Sequence, residues 1–264
     1  MGNSSLVNLD SSLAVRAHEL FERQLVEWPM MRAGAQALKT IQTRTIDIGE
    51  FSVRLQFNPG RIVSSGAKVD AKSIRERACF LCGRNLPPEQ RAVEAGDYDI
   101  LCNPFPIFPE HFTIAHRAHQ PQRIAGAIET MLALAEAMSP RYTVFYNGPR
   151  CGASAPDHLH FQAGDRAFMP IEADVDRLKG SAVFESGDAG IYIADSLRPF
   201  IAVEGSTAAG VSAPCKRLVR SLASIVPSDD EPMMNMLAWH EPKRLRVVIF
   251  PRMKHRPSFY FADG

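Results

Sequence analysis

The chain has 264 residues, 45% of them apolar and 22% charged, with 30 Lys and Arg against 29 Asp and Glu. This composition fills a core and excludes a disordered tail, a collagen-like fibre and a basic protein that coats polyanions, so no nucleic-acid partner is expected. Apolar runs fall short of the roughly 20 residues that span a bilayer. Met1 to Asp10 lack a basic region followed by an apolar stretch, so no secretory signal or membrane partner is expected. Met1-Gly2 with Ser5 faintly matches a myristoylation start. The five cysteines are too few and too unevenly spaced for a disulfide framework, which points to reduced thiols in a cytoplasmic protein.

From Leu13 to Leu38 apolar residues recur at helical spacing, with Asp10, Ser11 or Ser12 as N-cap and Trp28-Pro29 as a break, giving one or two amphipathic helices. Thr43 to Ile48 and Phe51 to Phe57 read as strands joined by Gly49-Glu50, and Asn58 to Arg61 as a turn into Ile62-Val63. Asp70 to Arg77 reads as a short polar helix leading to Cys79. Strands are expected at Tyr98 to Cys102 and His111 to His116, separated by the proline-rich run Asn103 to Pro109, which cannot enter a sheet.

Ile124 to Met138 is the clearest helix, rich in Ala, Leu, Met and Glu and stopped by Ser139-Pro140. Arg141 to Tyr146 and His158 to Gln162 read as strands around a loop of small residues. Farther on come strands at Ile191 to Ala194 and Phe200 to Val203, a helix from Pro214 to Ile225, and a hairpin of Met233 to Trp239 with Leu245 to Phe250. The chain stops after the strand-like run Phe259 to Gly264, compatible with a fragment. The order predicts an α+β fold with an antiparallel or mixed sheet and a helix packed on one face.

Two groups of residues carry chemistry. In a strand from His158 to Gln162, alternation sends His158, His160 and Gln162 to one face and Leu159 and Phe161 into the core. Upstream, Gly148, Gly152, Ala153 and Ser154 let backbone N–H groups approach an anion, with Asn147, Arg150 and Ser154 as side-chain donors. The bland alternative is a pair of solvent-facing or satisfied core histidines. The second group is Cys79-Phe-Leu-Cys82, whose spacing suits a metal knuckle, a pair of small core residues or a redox pair. As a knuckle it needs two further ligands, for which His158, His111, His116 and His119 are candidates.

These residues resemble the histidine-triad superfamily, transferase branch. Gly152-Ala-Ser-Ala-Pro-Asp-His-Leu-His-Phe-Gln162 is similar to the signatures of galactose-1-phosphate uridylyltransferases, diadenosine tetraphosphate phosphorylases and GDP-hexose phosphorylases. Cys79-Phe-Leu-Cys82, Asn103-Pro-Phe-Pro-Ile-Phe-Pro109, Tyr146-Asn-Gly-Pro149 and Ile249 to Pro257 extend the likeness to an uncharacterised bacterial group of this branch. It is specific over about residues 75 to 165 and looser elsewhere. It implies two fused half-motifs: an N-terminal helical segment at 1–40, an active half at 41–165 and a degenerate half at 166–264.

The resemblance also implies His160 as nucleophile, Gln162 as ligand of the phosphoryl oxygens, and structural zinc on Cys79, Cys82, His119 and His158, with His116, equally near the strand end, as the alternative to His119. Asp157 stands as an extra residue between Pro156 and His158 and puts the role of Ser154 in question. A nucleophilic imidazole needs its other N–H held, often by a backbone carbonyl. Glutamine at the third position has no accessible pKa and favours transfer over hydrolysis.

The implied activity is nucleotidyl transfer or phosphorolysis of a nucleoside diphosphate sugar or dinucleoside polyphosphate, with phosphate or a sugar phosphate as acceptor. Arg252, Lys254 and their neighbours could bind the acceptor's phosphate, or simply form a solvated turn. A nucleotide anhydride hydrolase and a non-catalytic zinc-stabilised nucleotide-binding protein are the competing readings. Relatives of this branch often pair as dimers or fold as two such halves in one chain; a homodimer is one option, and the faint second cycle from Met233 to Phe250 fits the other.

Overall fold

A computed structural model describes residue 9 and residues 12–59, 69–225 and 231–254. The expectations for Asp10 and Ser11, for Ile62-Val63 and for Phe259 to Gly264 lie outside these residues. The N-terminal helices are α1 (Leu13–Glu27) and α2 (Pro29–Leu38), separated at Trp28 as the Trp-Pro step predicts. Ser12 precedes α1 but caps it with no side-chain hydrogen bond. Among the described residues, strands β1 (Gln42–Ile48) and β2 (Phe51–Phe57) pair only with each other, through a turn in which Gly49 takes a φ of +59°. Helix α3 (Ala71–Glu76) starts at Asp70, whose carboxylate accepts from the N–H groups of Lys72 and Ser73.

All ten strands of the main sheet run antiparallel to their neighbours. The first half comprises β3 (Ala92–Ala95), β4 (Tyr98–Cys102), β5 (His111–His116), helix α4 (Ile128–Ala137), β6 (Tyr142–Asn147) and β7 (His160–Asp165). After α5 (Ile171–Leu178) the second half comprises β8 (Ala182–Ser186), β9 (Ala189–Ala194), β10 (Phe200–Gly205), α6 (Ala208–Ile225), β11 (Met234–Glu241) and β12 (Arg244–Pro251). The spatial order is β3-β4-β5-β7-β6 followed by β11-β12-β10-β9-β8. Each half thus repeats one topology, and the halves join where β6 pairs with β11.

Helices α1, α4 and α6 cover one face of the sheet. Leu159, just before β7, and Phe161 within it lie in that core, as expected, with Met131, Leu132 and Leu134 of α4 and Val211 and Cys215 of α6. A fully buried side chain such as Phe161 contributes about 1.5–3 kcal/mol of transfer free energy. On the opposite face α5 packs Ile171 and Val175 against Phe145 of the first half and Trp239 and Val248 of the second. In the first half that face carries Cys79, Leu81, Leu101, Ala115 and Ala155, and it holds the site.

Several expectations need correction. Helix α4 begins at Ile128 because Ile124 to Ala127 form a turn. Helix α6 begins six residues before Pro214, which sits inside it; burial of Val211, Cys215 and Val219 offsets the lost hydrogen bond. Strand β7 begins at His160, so His158 belongs to the preceding loop. The edge strands β3 and β8 and helix α5 were not expected. The last shows Ile171, Val175 and Leu178 at helical spacing, but only over eight residues.

Candidate active site and metal centre

The loop from Gly148 to Leu159 connects β6 to β7, whereas the second half needs only Pro242-Lys243 between β11 and β12. Gly152 holds a φ of +97° within this loop, a conformation that favours glycine. At the loop's end the His158 N–H donates to the Ala155 carbonyl, and His158 Nε2–H donates to the His116 carbonyl at 2.6 Å. That bond fixes the tautomer and leaves Nδ1 with a free lone pair. Nδ1 lies 3.3 Å from Cys79 Sγ and 3.6 Å from Cys82 Sγ, while His119 Nδ1 lies 3.3 Å from Cys82 Sγ.

The four ligand atoms of Cys79, Cys82, His119 and His158 all lie within 4.8 Å of one another. Tetrahedral zinc with ordinary bond lengths spaces its ligand atoms about 3.3–3.8 Å apart. The donor set, two thiols and two imidazole nitrogens, therefore fits a metal of that kind. Burial pushes the Cys79 thiol up, and a cation is what would hold it as thiolate. His116 is excluded from the cluster: its Nδ1 accepts from the Ala118 N–H at 3.0 Å, and its ring lies edge-on to Tyr98.

His160 is 5% exposed at the start of β7. Its Nδ1–H donates to the His158 carbonyl at 2.8 Å, the backbone partner that a nucleophilic imidazole requires. Nε2 is therefore the basic nitrogen. Burial lowers the imidazole's pKa to about 4, outweighing the hydrogen bond to His158, so the ring is neutral at physiological pH. The backbone of His160 is clamped by Gln122, which is 1% exposed. Gln122 Oε1 accepts from the His160 N–H at 2.7 Å, and Nε2 donates to the His160 carbonyl at 2.9 Å and the Asn147 carbonyl at 3.0 Å.

Gln162, two residues on, faces the same side as His160. The Ile107 N–H donates to His111 Nδ1 at 3.3 Å, so His111 carries its proton on Nε2 and donates to Gln162 Oε1 at 3.0 Å. The Gln162 oxygen is thereby occupied and its NH₂ group is the free end. His111, weighed above as a metal ligand, instead orients this amide.

His160 and Gln162 line a cavity of about 690 Å³. Its walls come from the α1–α2 junction (Trp28, Met30), the knuckle (Phe80, Leu81) and the proline-rich run (Pro104, Phe105), with Arg77 and Ser154 at the polar end. Ser154 is the one member of the expected loop donors that the structure brings to this cavity. Asn147, Arg150, Gly152, Arg252 and Lys254 do not line it, because the long loop folds across to β11. There Asn235 Nδ2 donates to Asn147 Oδ1 and to the Cys151 carbonyl, and Arg252 donates to Asn235 Oδ1 at 2.8 Å. Lys254 is exposed beyond β12. Asp157 is no idle insertion: Oδ1 accepts from Arg77 at 3.0 Å, and Oδ2 lies 3.9 Å from His119 Nε2.

Residues 20–165 match a family model described as a domain of unknown function, DUF4922. The chain belongs to the DUF4922 family. No curated protein matches its sequence significantly. Among solved structures, yeast Ap4A phosphorylase Apa2 in complex with AMP is similar at a TM-score of 0.61 and 19% identity, over 93% of this chain and 81% of that one. The same enzyme in complex with Ap4A gives 0.56 and 15%, over 93% and 82%. A GALT-like protein from Arabidopsis thaliana gives 0.49 and 12%, over 83% and 91%. The DUF4922 chain thus shares the fold of yeast Ap4A phosphorylase Apa2.

Sequence reasoning missed Gln122, Asn235 and Arg77 in this DUF4922 member. Gln122 acts on a residue 38 positions away, and Asn235 on residues 88 and 84 positions away, so no local spacing marks them. Arg77 stands two residues before Cys79, a position the knuckle motif could have brought to notice.

Proposed function

We propose that this protein is a nucleotidyltransferase or phosphorylase acting on a nucleoside diphosphate sugar or a dinucleoside polyphosphate, with phosphate or a sugar phosphate as acceptor. The observation that carries the reading is His160: a neutral imidazole whose Nδ1–H is committed to the His158 carbonyl, in the wall of a nucleotide-sized cavity beside the free amide of Gln162. The Apa2-like fold supports it.

His160 Nε2 attacks the phosphorus, forming a P–N bond as the anhydride P–O bond breaks and the sugar phosphate or nucleotide leaves with that oxygen. The imidazole gains positive charge, which the Nδ1–H bond to the His158 carbonyl stabilises. An oxygen of the acceptor then attacks phosphorus and the P–N bond breaks, restoring neutral His160. The Gln162 NH₂ group donates to the non-bridging oxygens as charge builds on them; removing such a donor typically costs about 10²–10³-fold in rate. Gln162 cannot take a proton, which favours a phosphate acceptor over water.

Cys79, Cys82, His119 and His158 would hold zinc as a structural ion, four protein ligands leaving no open position. The chain's own contribution there is to fix His158, whose carbonyl orients His160. Residues 41–165 form the active half and 166–264 the degenerate one.

The test is incubation with radiolabelled GDP-, UDP- and ADP-sugars and diadenosine tetraphosphate, with and without phosphate. Phosphate-dependent release of nucleoside diphosphate and an acid-labile label on the protein are expected, with both lost in His160→Ala. Full turnover by His160→Ala overturns the mechanism, and phosphate-independent release of monophosphate reassigns the protein as a hydrolase.

A further inference from the structure

The cavity that holds His160 and Gln162 is walled largely by apolar and aromatic side chains; among its described lining residues Arg77 is the single Lys or Arg and Glu76 the single acid. Phosphate esters are anions in water at neutral pH, and carrying one into such a wall is costly without a cation that meets it. The cations expected from sequence to do this, Arg150, Arg252 and Lys254, lie outside the cavity.

Arg77 is also held as a binding residue needs to be. Its guanidinium sits 4.9 Å from the Phe80 ring centroid, and Nη2 donates both to the Ser154 carbonyl at 3.1 Å and to Asp157 Oδ1 at 3.0 Å. These contacts occupy one of the three guanidinium nitrogens. Nε is buried and has no hydrogen-bond partner among the described residues. A buried N–H left unpaired costs free energy that an arriving acceptor recovers. Asp157 divides its two oxygens between Arg77 and the neighbourhood of His119, so it steadies the guanidinium without enclosing it.

On the reading given under Proposed function, we infer that Arg77 is the phosphate-binding cation of the cavity and sets its preference for phosphorylated over phosphate-free ligands. The same guanidinium ties the phosphate-facing loop at Ser154 to the chain segment that leads into the Cys79 knuckle.

Calorimetric titration of the full, metal-loaded chain with AMP, GMP and UMP, and with adenosine, guanosine and uridine, tests this. An arginine hydrogen-bonded to phosphate is worth about 10–100-fold in affinity. Arg77→Gln is expected to weaken nucleotide binding by that factor and leave nucleoside binding unchanged. Arg77→Lys, which keeps the charge but not the planar fork, falls between. Asp157→Asn, which loosens the tie but keeps Arg77, retains the preference for nucleotide.

Equal loss of nucleotide and nucleoside binding in Arg77→Gln overturns the inference, since it marks Arg77 as a structural tie only. If Arg77→Gln loses its fold or its metal, Arg77→Lys decides: a weakened but retained nucleotide preference with nucleoside binding unchanged supports the inference, and an unaltered preference or an equal loss of both ligands overturns it. An unchanged nucleotide preference in Arg77→Gln, with His160 still becoming labelled, overturns this inference alone. Failure of wild-type His160 to become labelled by any donor overturns the functional reading instead.

Discussion

Gln122→Leu tests how the nucleophile is held. At its N-terminal end β7 separates from β6, and the side-chain amide of Gln122 stands in for the missing strand, accepting the His160 N–H and donating to the His160 and Asn147 carbonyls. Leucine matches the volume, so little cavity cost arises, but it leaves three backbone groups unpaired beside a residue that is 1% exposed. Each such group costs about 1–3 kcal/mol, and with partial relaxation the sum is about 3–6 kcal/mol. At about 2–4 °C per kcal/mol for a domain of this size, the melting temperature falls by about 6–24 °C. Urea denaturation with an unchanged m-value gives the loss, and hydrogen exchange of the His160 amide reports its site, protected in the wild type and fast in the variant. A shift worth less than about 1 kcal/mol with the His160 amide still protected refutes the clamp.

The metal and the acid limb of stability give two further predictions. Elemental analysis of the purified protein is expected to find about one zinc per chain, the count that four convergent ligands imply, with Cys82→Ser losing the ion and melting lower; a metal-free wild type removes the site. Asp176 concerns pH: burial opposes its ionisation, but Lys179, Arg246 and Arg244 outweigh it and hold the carboxyl at about 2, below the usual 3.8. A depressed folded-state value gives stability that is present above the ordinary pKa and lost as pH falls through the folded one. Asp176→Asn is therefore expected to flatten the urea midpoint between about pH 4 and pH 2, and parallel curves for the two proteins would rule the effect out.

How much was legible in the sequence depended on the range of each interaction. His160 and Gln162 share a face because a strand alternates, and Cys79 and Cys82 converge because two intervening residues make a knuckle, so local spacing reveals both. The choice between His116 and His119 was not local. It follows from the His116 ring turning onto Tyr98 while its carbonyl, not its imidazole, meets His158. The strand boundary at His158 failed for a related reason: periodicity marks facing, but the Gln122 amide and the knuckle end the β7 ladder two residues later than alternation suggests. Arg252 was drawn to the phosphate by its charge alone, and the long loop hands it to Asn235 instead.

The repeated topology bears on the proposal that only the first half carries the chemistry. In each half the last strand lies between the third strand and the one that precedes it: β7 between β5 and β6, β12 between β10 and β11. His160 pairs with Ala115, the fifth residue of β5, and Arg246 pairs with Glu204, the fifth residue of β10. The place of the proposed nucleophile is thus taken by a 1% exposed arginine. Its Nε lies 2.7 Å from Glu204, its Nη2 2.6 Å from Asp176, and Lys179 closes the group on both acids. A small alanine opposite His160 leaves room for a ligand, whereas a glutamate opposite Arg246 fills that room with its own counter-charge. With the loop cut to Pro242-Lys243 there is also no small-residue segment to approach an anion. An ion-paired arginine stabilises a strand but has no lone pair to offer phosphorus, so the residue at one register position and the length of one loop both support the proposal that the second half is degenerate.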